Sequence, residues 1–260
     1  LKMTSKNMNK NKLYLLSSIV LLLLLGSSIL INLLLYSQAK KYYFELNETR
    51  LDPLGMTYYP PNFSQTDKPN PLRIVFFGDS RAASWIAPDL SGYEFINRGI
   101  VSQTSVQAIA RFSAHVQPLK PNIVVLQVGI NDLKTIALFP ERRDAIVANT
   151  KANIKQIVEA SRKLGSTVII TTVFPVGDVP LIRKPFWSDA IQLALQEVNT
   201  YIATLATEKV MVFDTVPLLA NPQGGMLPQY SLDELHLNES GYARLNQELI
   251  KQIQSFQLTN

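Results

Sequence analysis

The chain is predicted to be a three-layer α/β/α sandwich, built on a mostly parallel sheet of about five strands and preceded by one N-terminal transmembrane helix. Three observations predict it. Apolar runs rich in strand formers recur along residues 72–260, amphipathic helical periods separate them, and an uncharged stretch from Leu13 to Ser37 stands ahead of both.

The runs are Leu72 to Phe77, Ile123 to Val128, Thr167 to Val173 and Val210 to Phe213. Their continuous apolar character suits strands covered on both faces. Between them, Ile146, Ile154, Ile157 and Leu164 keep three- and four-residue spacing up to Gly165. After Ser188 as N-cap, Ile191, Leu195, Val198, Ile202 and Leu205 do the same. A last helix starts near Asn238 and puts Tyr242, Leu245, Leu249 and Phe256 on one face. In a flavodoxin-like sheet of this kind ligands gather beyond the carboxyl ends of the strands. Ser80, Asn131 and Asp214 fall there.

The N-terminal stretch has 25 residues without a charge, enough at ~1.5 Å per residue to cross a ~30 Å hydrocarbon core. Four lysines precede it (Lys2, Lys6, Lys10, Lys12) and two follow (Lys40, Lys41), which places residues 1–12 in the cytoplasm and the remainder outside. Ser37-Gln38-Ala39 offers a small-x-small cleavage site that would release a secreted form, but the apolar run exceeds the ~7–15 residues of a secretory signal, so 13–37 is read as an uncleaved anchor. Residues 38–71, punctuated by Pro53, Pro60, Pro61, Pro69 and Pro71, read as a stalk, part of which, such as Leu51 to Tyr59, lies against the domain at 72–260.

Composition narrows the chemistry. There is no cysteine, which excludes disulfides, thiolate metal sites and a cysteine nucleophile, and there are two histidines, His115 and His236. The net charge of +5 comes from the six lysines of residues 1–41; the other 219 residues carry 19 basic and 20 acidic groups, so a basic nucleic-acid surface is not expected.

Three loops carry candidate chemistry. Gly78-Asp79-Ser80 ends the first strand and opens a helix, which gives a serine hydroxyl a place at a helix N-terminus. Asn131, in Gly-Ile-Asn-Asp132, offers a carboxamide donor at the end of another strand. In Asp233-Glu-Leu-His236 a carboxylate three residues before an imidazole can reach its Nδ1–H. His115 lacks a carboxylate at useful spacing and reads as structural; Asp79 and Asp132 read as loop-fixing acceptors.

With Gly99 in Asn97-Arg-Gly99, these residues resemble, in order, the four name-giving positions of the SGNH (GDSL) hydrolase superfamily across about 190 residues, from 70 to 260. The resemblance implies a serine esterase without metal or organic cofactor, with Ser80 as nucleophile, His236 as base and Asp233 as its orienting carboxylate. It implies an oxyanion hole formed by the Ser80 N–H, the Gly99 N–H and the Asn131 amide. Arg81 departs from the leucine of the GDSL signature and is expected to put a charge near the mouth, and Trp85, Arg183 and Trp187 are further candidates to line the pocket. The ester is carried by a lipid or an O-acetylated glycan. An acyltransferase using the same triad and a non-catalytic binding module remain as alternatives.

Overall fold

The computed structural model describes residues 2–60 and 72–257. Two compact units divide the chain, one ending at Pro53 and the other beginning at Leu54. The first is a single helix, α1, Lys2–Leu51, long and apolar enough to cross a membrane.

Here the structure corrects the stalk. The helix runs unbroken through Ser37–Ala39 to Leu51, because residues 38–51 contain neither glycine nor proline. A Lys41–Glu45 pair one turn apart adds support, and Asp52 and Pro53 end the helix. The segment from Leu54 to Tyr59 does lie on the second unit. Gln103 Nε2 donates to the Leu54 carbonyl (2.8 Å), Tyr59 Oη to the Gly99 carbonyl (2.5 Å), and His115 Nε2 meets the Met56 carbonyl at 3.3 Å. Residues 61–71, the rest of the expected stalk, lie outside the described residues, as does the side chain of Phe256.

In the second unit five parallel strands, β1 (Leu72–Gly78), β2 (Tyr93–Gly99), β3 (Ile123–Gln127), β4 (Thr167–Thr171) and β5 (Val210–Phe213), form one sheet in the order β2-β1-β3-β4-β5. Alternation along each strand splits the core in two. Val75, Phe77, Val124, Leu126, Val168 and Ile170 pack against α3 (Ser105–His115), α5 (Arg143–Lys163) and α6 (Asp189–Ala203). Ile74, Phe76, Val125 and Ile169 face the other way, onto Trp85 and the Tyr242, Leu245, Leu249 and Ile253 stripe of α8 (Glu239–Gln257).

The helix signals are borne out at both ends of the expected elements. Ser188 Oγ accepts the Ala190 N–H at the start of α6, and Gly165 follows α5 with φ +84°. The order in which strands are added to the sheet reverses between β1 and β3, which opens the crevice where such sheets hold ligands.

Candidate active site

The loops after β1 and β3 converge on this crevice, and backbone contact joins them. Asp79 N–H donates to the Gln127 carbonyl (3.1 Å), and a Cβ on Gly78, whose φ is +149°, would sit 1.6 Å from that same oxygen. Only glycine lets the end of β1 come this close to β3. Asp79 then caps the short helix α2 (Ser80–Ala83) by accepting the Arg81 N–H on Oδ1 (2.9 Å). Ser80 is thereby fixed as the first helical residue, where a backbone N–H has no intrahelical acceptor.

Ser80 Oγ lies 2.9 Å from His236 Nε2. On the other side of the ring, His236 Nδ1 lies 2.8 Å and 3.0 Å from the two oxygens of Asp233. An ionised carboxylate only accepts, so Nδ1 carries the proton and Nε2 presents its lone pair to the serine hydroxyl. Burial works against the Asp233 charge, but the His236 bond and the backbone N–H groups of Leu235 (2.8 Å) and His236 (2.7 Å) outweigh it and hold this carboxyl below its ordinary range.

His236 and Asp233 belong to an irregular segment ahead of α8, closed by Leu232 N–H to the His236 carbonyl and Asn238 N–H to the Tyr230 carbonyl, each 2.9 Å. Arg81 ties this segment to the loop that carries Ser80. Its Nε donates to the Leu235 carbonyl (2.8 Å), its Nη1 to the Phe174 carbonyl (3.1 Å), and its guanidinium stacks on the Phe174 ring. Asn131 is the second residue of α4 (Ile130–Leu133) and is buried, and its Nδ2 donates to the Gln103 carbonyl (3.0 Å), which leaves a second amide hydrogen available. Asp132 holds α3 in place by accepting from Ser105 N–H (2.8 Å) and Oγ (2.6 Å).

A serine hydroxyl in contact with an imidazole that a carboxylate orients is equipped for acyl substitution. The family model of GDSL-like lipases and acylhydrolases matches residues 64–244. The chain belongs to this family. It is thus assigned to the carboxylic ester hydrolases, as the resemblance implied.

Among solved structures, this GDSL-family chain is similar to a proposed acylhydrolase of Bacteroides fragilis NCTC 9343 at 27% identity, with a TM-score of 0.60, over 73% of this chain and 92% of that one. It also shares its fold with a GDSL-like lipase of Bacteroides thetaiotaomicron (23%, TM-score 0.57, over 79% and 97% of the two chains). An acetyl-xylooligosaccharide esterase of Geobacillus stearothermophilus shares it too (18%, 0.54, 70% and 93%). No curated protein matches the sequence.

Several residues expected at the GDSL site have other work. Arg81 is fully buried and puts no charge at the mouth; burial lowers its pKa to about 10 against the favourable charge of Asp79. Trp85 is a core residue stacked on Phe76, with Nε1 donating to Asn246 Oδ1 (2.8 Å). Trp187 packs partly buried on the α5–α6 side of the core. Arg183 is half-exposed and pairs with Glu234, next to Asp233.

Gly99 supplies clearance, since a Cβ there would lie 2.1 Å from the Ala83 nitrogen. Its N–H is not a free oxyanion donor, being given to Asn97 Oδ1 (2.8 Å). Asp214 accepts from Thr172 Oγ1 (3.2 Å) and the Val216 N–H (3.2 Å) and lines a separate cavity of about 370 Å³ between β4, β5 and α6. His115 is buried between Arg111, Tyr59 and the Met56 carbonyl.

Two residues near the site escaped the sequence reading. Asn97 holds the carbonyls of Ala82 (2.8 Å) and Ala83 (3.1 Å) at the end of α2, and its place in Asn-Arg-Gly was the only signal of it. Lys134, one turn after Asn131, is half-buried in the fields of Asp79, Arg183, Arg81 and Glu234; desolvation lowers its pKa. Nothing local in the sequence distinguishes it from a surface lysine. Among the described residues no three histidine, aspartate or glutamate side chains cluster as metal ligands.

Proposed function

We propose that the chain hydrolyses carboxylic esters through a Ser80–His236–Asp233 triad, and the 2.9 Å contact between Ser80 Oγ and His236 Nε2 carries this reading. Ser80 Oγ attacks the acyl carbon while its proton passes to His236 Nε2, and Asp233 stabilises the imidazolium that forms. The oxyanion takes hydrogen bonds from the Ser80 N–H and the free Asn131 amide hydrogen. His236 returns the proton to the departing alkoxide. Water, deprotonated by the same Nε2, then attacks the acyl-enzyme; the Ser80 Oγ–acyl bond breaks, His236 returns the proton to Ser80 Oγ, and the acid is released.

The Lys2, Lys6, Lys10 and Lys12 cluster ahead of the apolar part of α1 supports an anchor with the catalytic unit outside the cytoplasm, next to envelope lipids and glycans. A reporter fused after Asn260 tests it: a strong cytoplasmic signal contradicts this orientation. The full chain in detergent is expected to turn over p-nitrophenyl esters, with Ser80→Ala as the blank. Preference for acetate indicates glycan deacetylation, and preference for long acyl chains indicates a lipid substrate. Transfer to a sugar hydroxyl by the same acyl-enzyme would appear as acylated sugar in place of free acid. Absence of Ser80-dependent turnover in folded protein contradicts the proposal.

A further inference from the structure

Beside the catalytic centre the loop from Pro180 to Trp187 displays what a folded domain ordinarily hides. Leu181, Ile182 and Phe186 are 81%, 83% and 64% exposed, while most large apolar side chains of the sheet are fully buried. The loop is nonetheless well ordered by its own bonds. Arg183 N–H and Lys184 N–H donate to the Pro180 carbonyl (2.9 and 3.2 Å), Phe186 N–H to the Arg183 carbonyl (2.9 Å), and Trp187 N–H to the Lys184 carbonyl (3.1 Å). Trp187 roots one end in the core. The Arg183 guanidinium pairs with buried Glu234, which adjoins Asp233, so the loop borders the mouth of the site. Leu232, on the other flank of Asp233, is 70% exposed.

We infer that this loop is a membrane-docking element that seats the catalytic mouth on an anionic lipid surface, which makes bilayer lipid the ester substrate; the inference deepens the esterase reading and rests on it. Three features select a lipid surface as the occupant. First, the exposed run Leu181-Ile-Arg-Lys-Pro-Phe186 interleaves apolar side chains with the exposed Lys184 and with Arg183, whose charge is partly met by Glu234, and contains no acid, a composition that partitions into a negatively charged headgroup layer. A second protein would more often meet a patch depleted in lysine. Second, the N–H groups of Arg183, Lys184, Phe186 and Trp187 are satisfied within the loop, which lowers the cost of entering that layer. Third, α1, as a membrane anchor, keeps the catalytic unit at high effective concentration near a bilayer, so weak docking suffices.

Because the chain contains no cysteine, one label can be placed without background. The full chain carrying Ile182→Cys, labelled with nitrobenzoxadiazole, is reconstituted into phosphatidylcholine vesicles with or without phosphatidylglycerol. Blue-shifted emission, quenched by brominated lipid, is expected with phosphatidylglycerol and is expected to weaken in high salt and in Lys184→Glu. Replacing Leu181, Ile182 and Phe186 together by serine is expected to slow hydrolysis of a long-chain ester in those vesicles by about tenfold or more, from lost apolar burial. Turnover of p-nitrophenyl acetate should stay unchanged.

Water-like, unquenched emission in both vesicles, with Ser80-dependent p-nitrophenyl acetate turnover intact, would overturn the docking inference and leave the esterase reading standing. A blue shift that ignores lipid charge and grows with protein density would assign the patch to a second copy of the chain and overturn it too. Absence of Ser80-dependent turnover on any ester would overturn the esterase reading, and this inference with it.

Discussion

The proposed nucleophile and its proposed base sit in contrasting surroundings. Ser80 follows directly on a central strand, nearly buried, its helix capped by Asp79 and its approach fixed by backbone contacts at Gly78 and Gly99. His236 and Asp233 sit on irregular chain, with side chains 31% and 41% exposed, held by polar contacts and by the burial of Leu235 and Leu237 on either side of His236. The strand end is set by the sheet; the base segment needs a tether. Arg81, one residue from the nucleophile, supplies it through the Leu235 carbonyl. The contrast implies that damage on the serine side shows first as lost chemistry or lost stability of the central sheet, and damage on the histidine side as lost alignment.

The largest break is His236→Ala. Removing the base from a triad that acts as a unit is expected to lower kcat by roughly 10⁴-fold or more with little change in melting temperature, as measured by ester hydrolysis alongside a thermal scan. Next comes Arg81→Leu, which restores the family's usual residue but strips the Leu235 and Phe174 carbonyls of their donor and leaves buried Asp79 without its counter-charge. A loss of about 3–5 kcal/mol is expected in denaturant titration, together with a fall in kcat as the base segment loosens. Retained stability with full activity would show that the tether is dispensable.

Asn131→Ala sharpens the comparison on the serine side. Loss of an oxyanion donor is expected to cost about 10²–10³ in kcat with KM nearly constant. The smallest effect concerns Asp79. Burial raises its carboxyl pKa to about 6, partly offset by Arg81, so the folded chain holds this proton more tightly than the unfolded chain. Its stabilising share is therefore full below 3.8 and is lost as pH climbs through about 6. Asp79→Asn keeps the cap acceptor, so the variant's stability relative to the parent should rise across that window, by up to about 3 kcal/mol. A flat difference in melting temperature from pH 4 to 7 would contradict the assignment.

What the sequence disclosed follows the same division. Four strands announce themselves because both faces are covered and their residues are continuously apolar. β2 does not, since Glu94, Asn97 and Arg98 interrupt an edge strand whose polar groups find specific partners. Ser80, Asn131, Asp233 and His236 were legible because short motifs with a mechanical reason carry them. Arg81 was misread because sequence neighbours do not reveal that a side chain turns inward to carbonyls 93 and 154 residues away. The continuation of the N-terminal helix beyond the span, through residues 38–51, was not read, because lack of charge marks the apolar core of a span and not the length of its helix.

The central claim is that Ser80 is the nucleophile activated by His236. Treating the full chain with a fluorophosphonate and locating the adduct by mass spectrometry tests it directly. The account predicts one covalent adduct on Ser80, absent in Ser80→Ala and formed far more slowly in His236→Ala. An adduct on another serine, or none in folded protein, would contradict it.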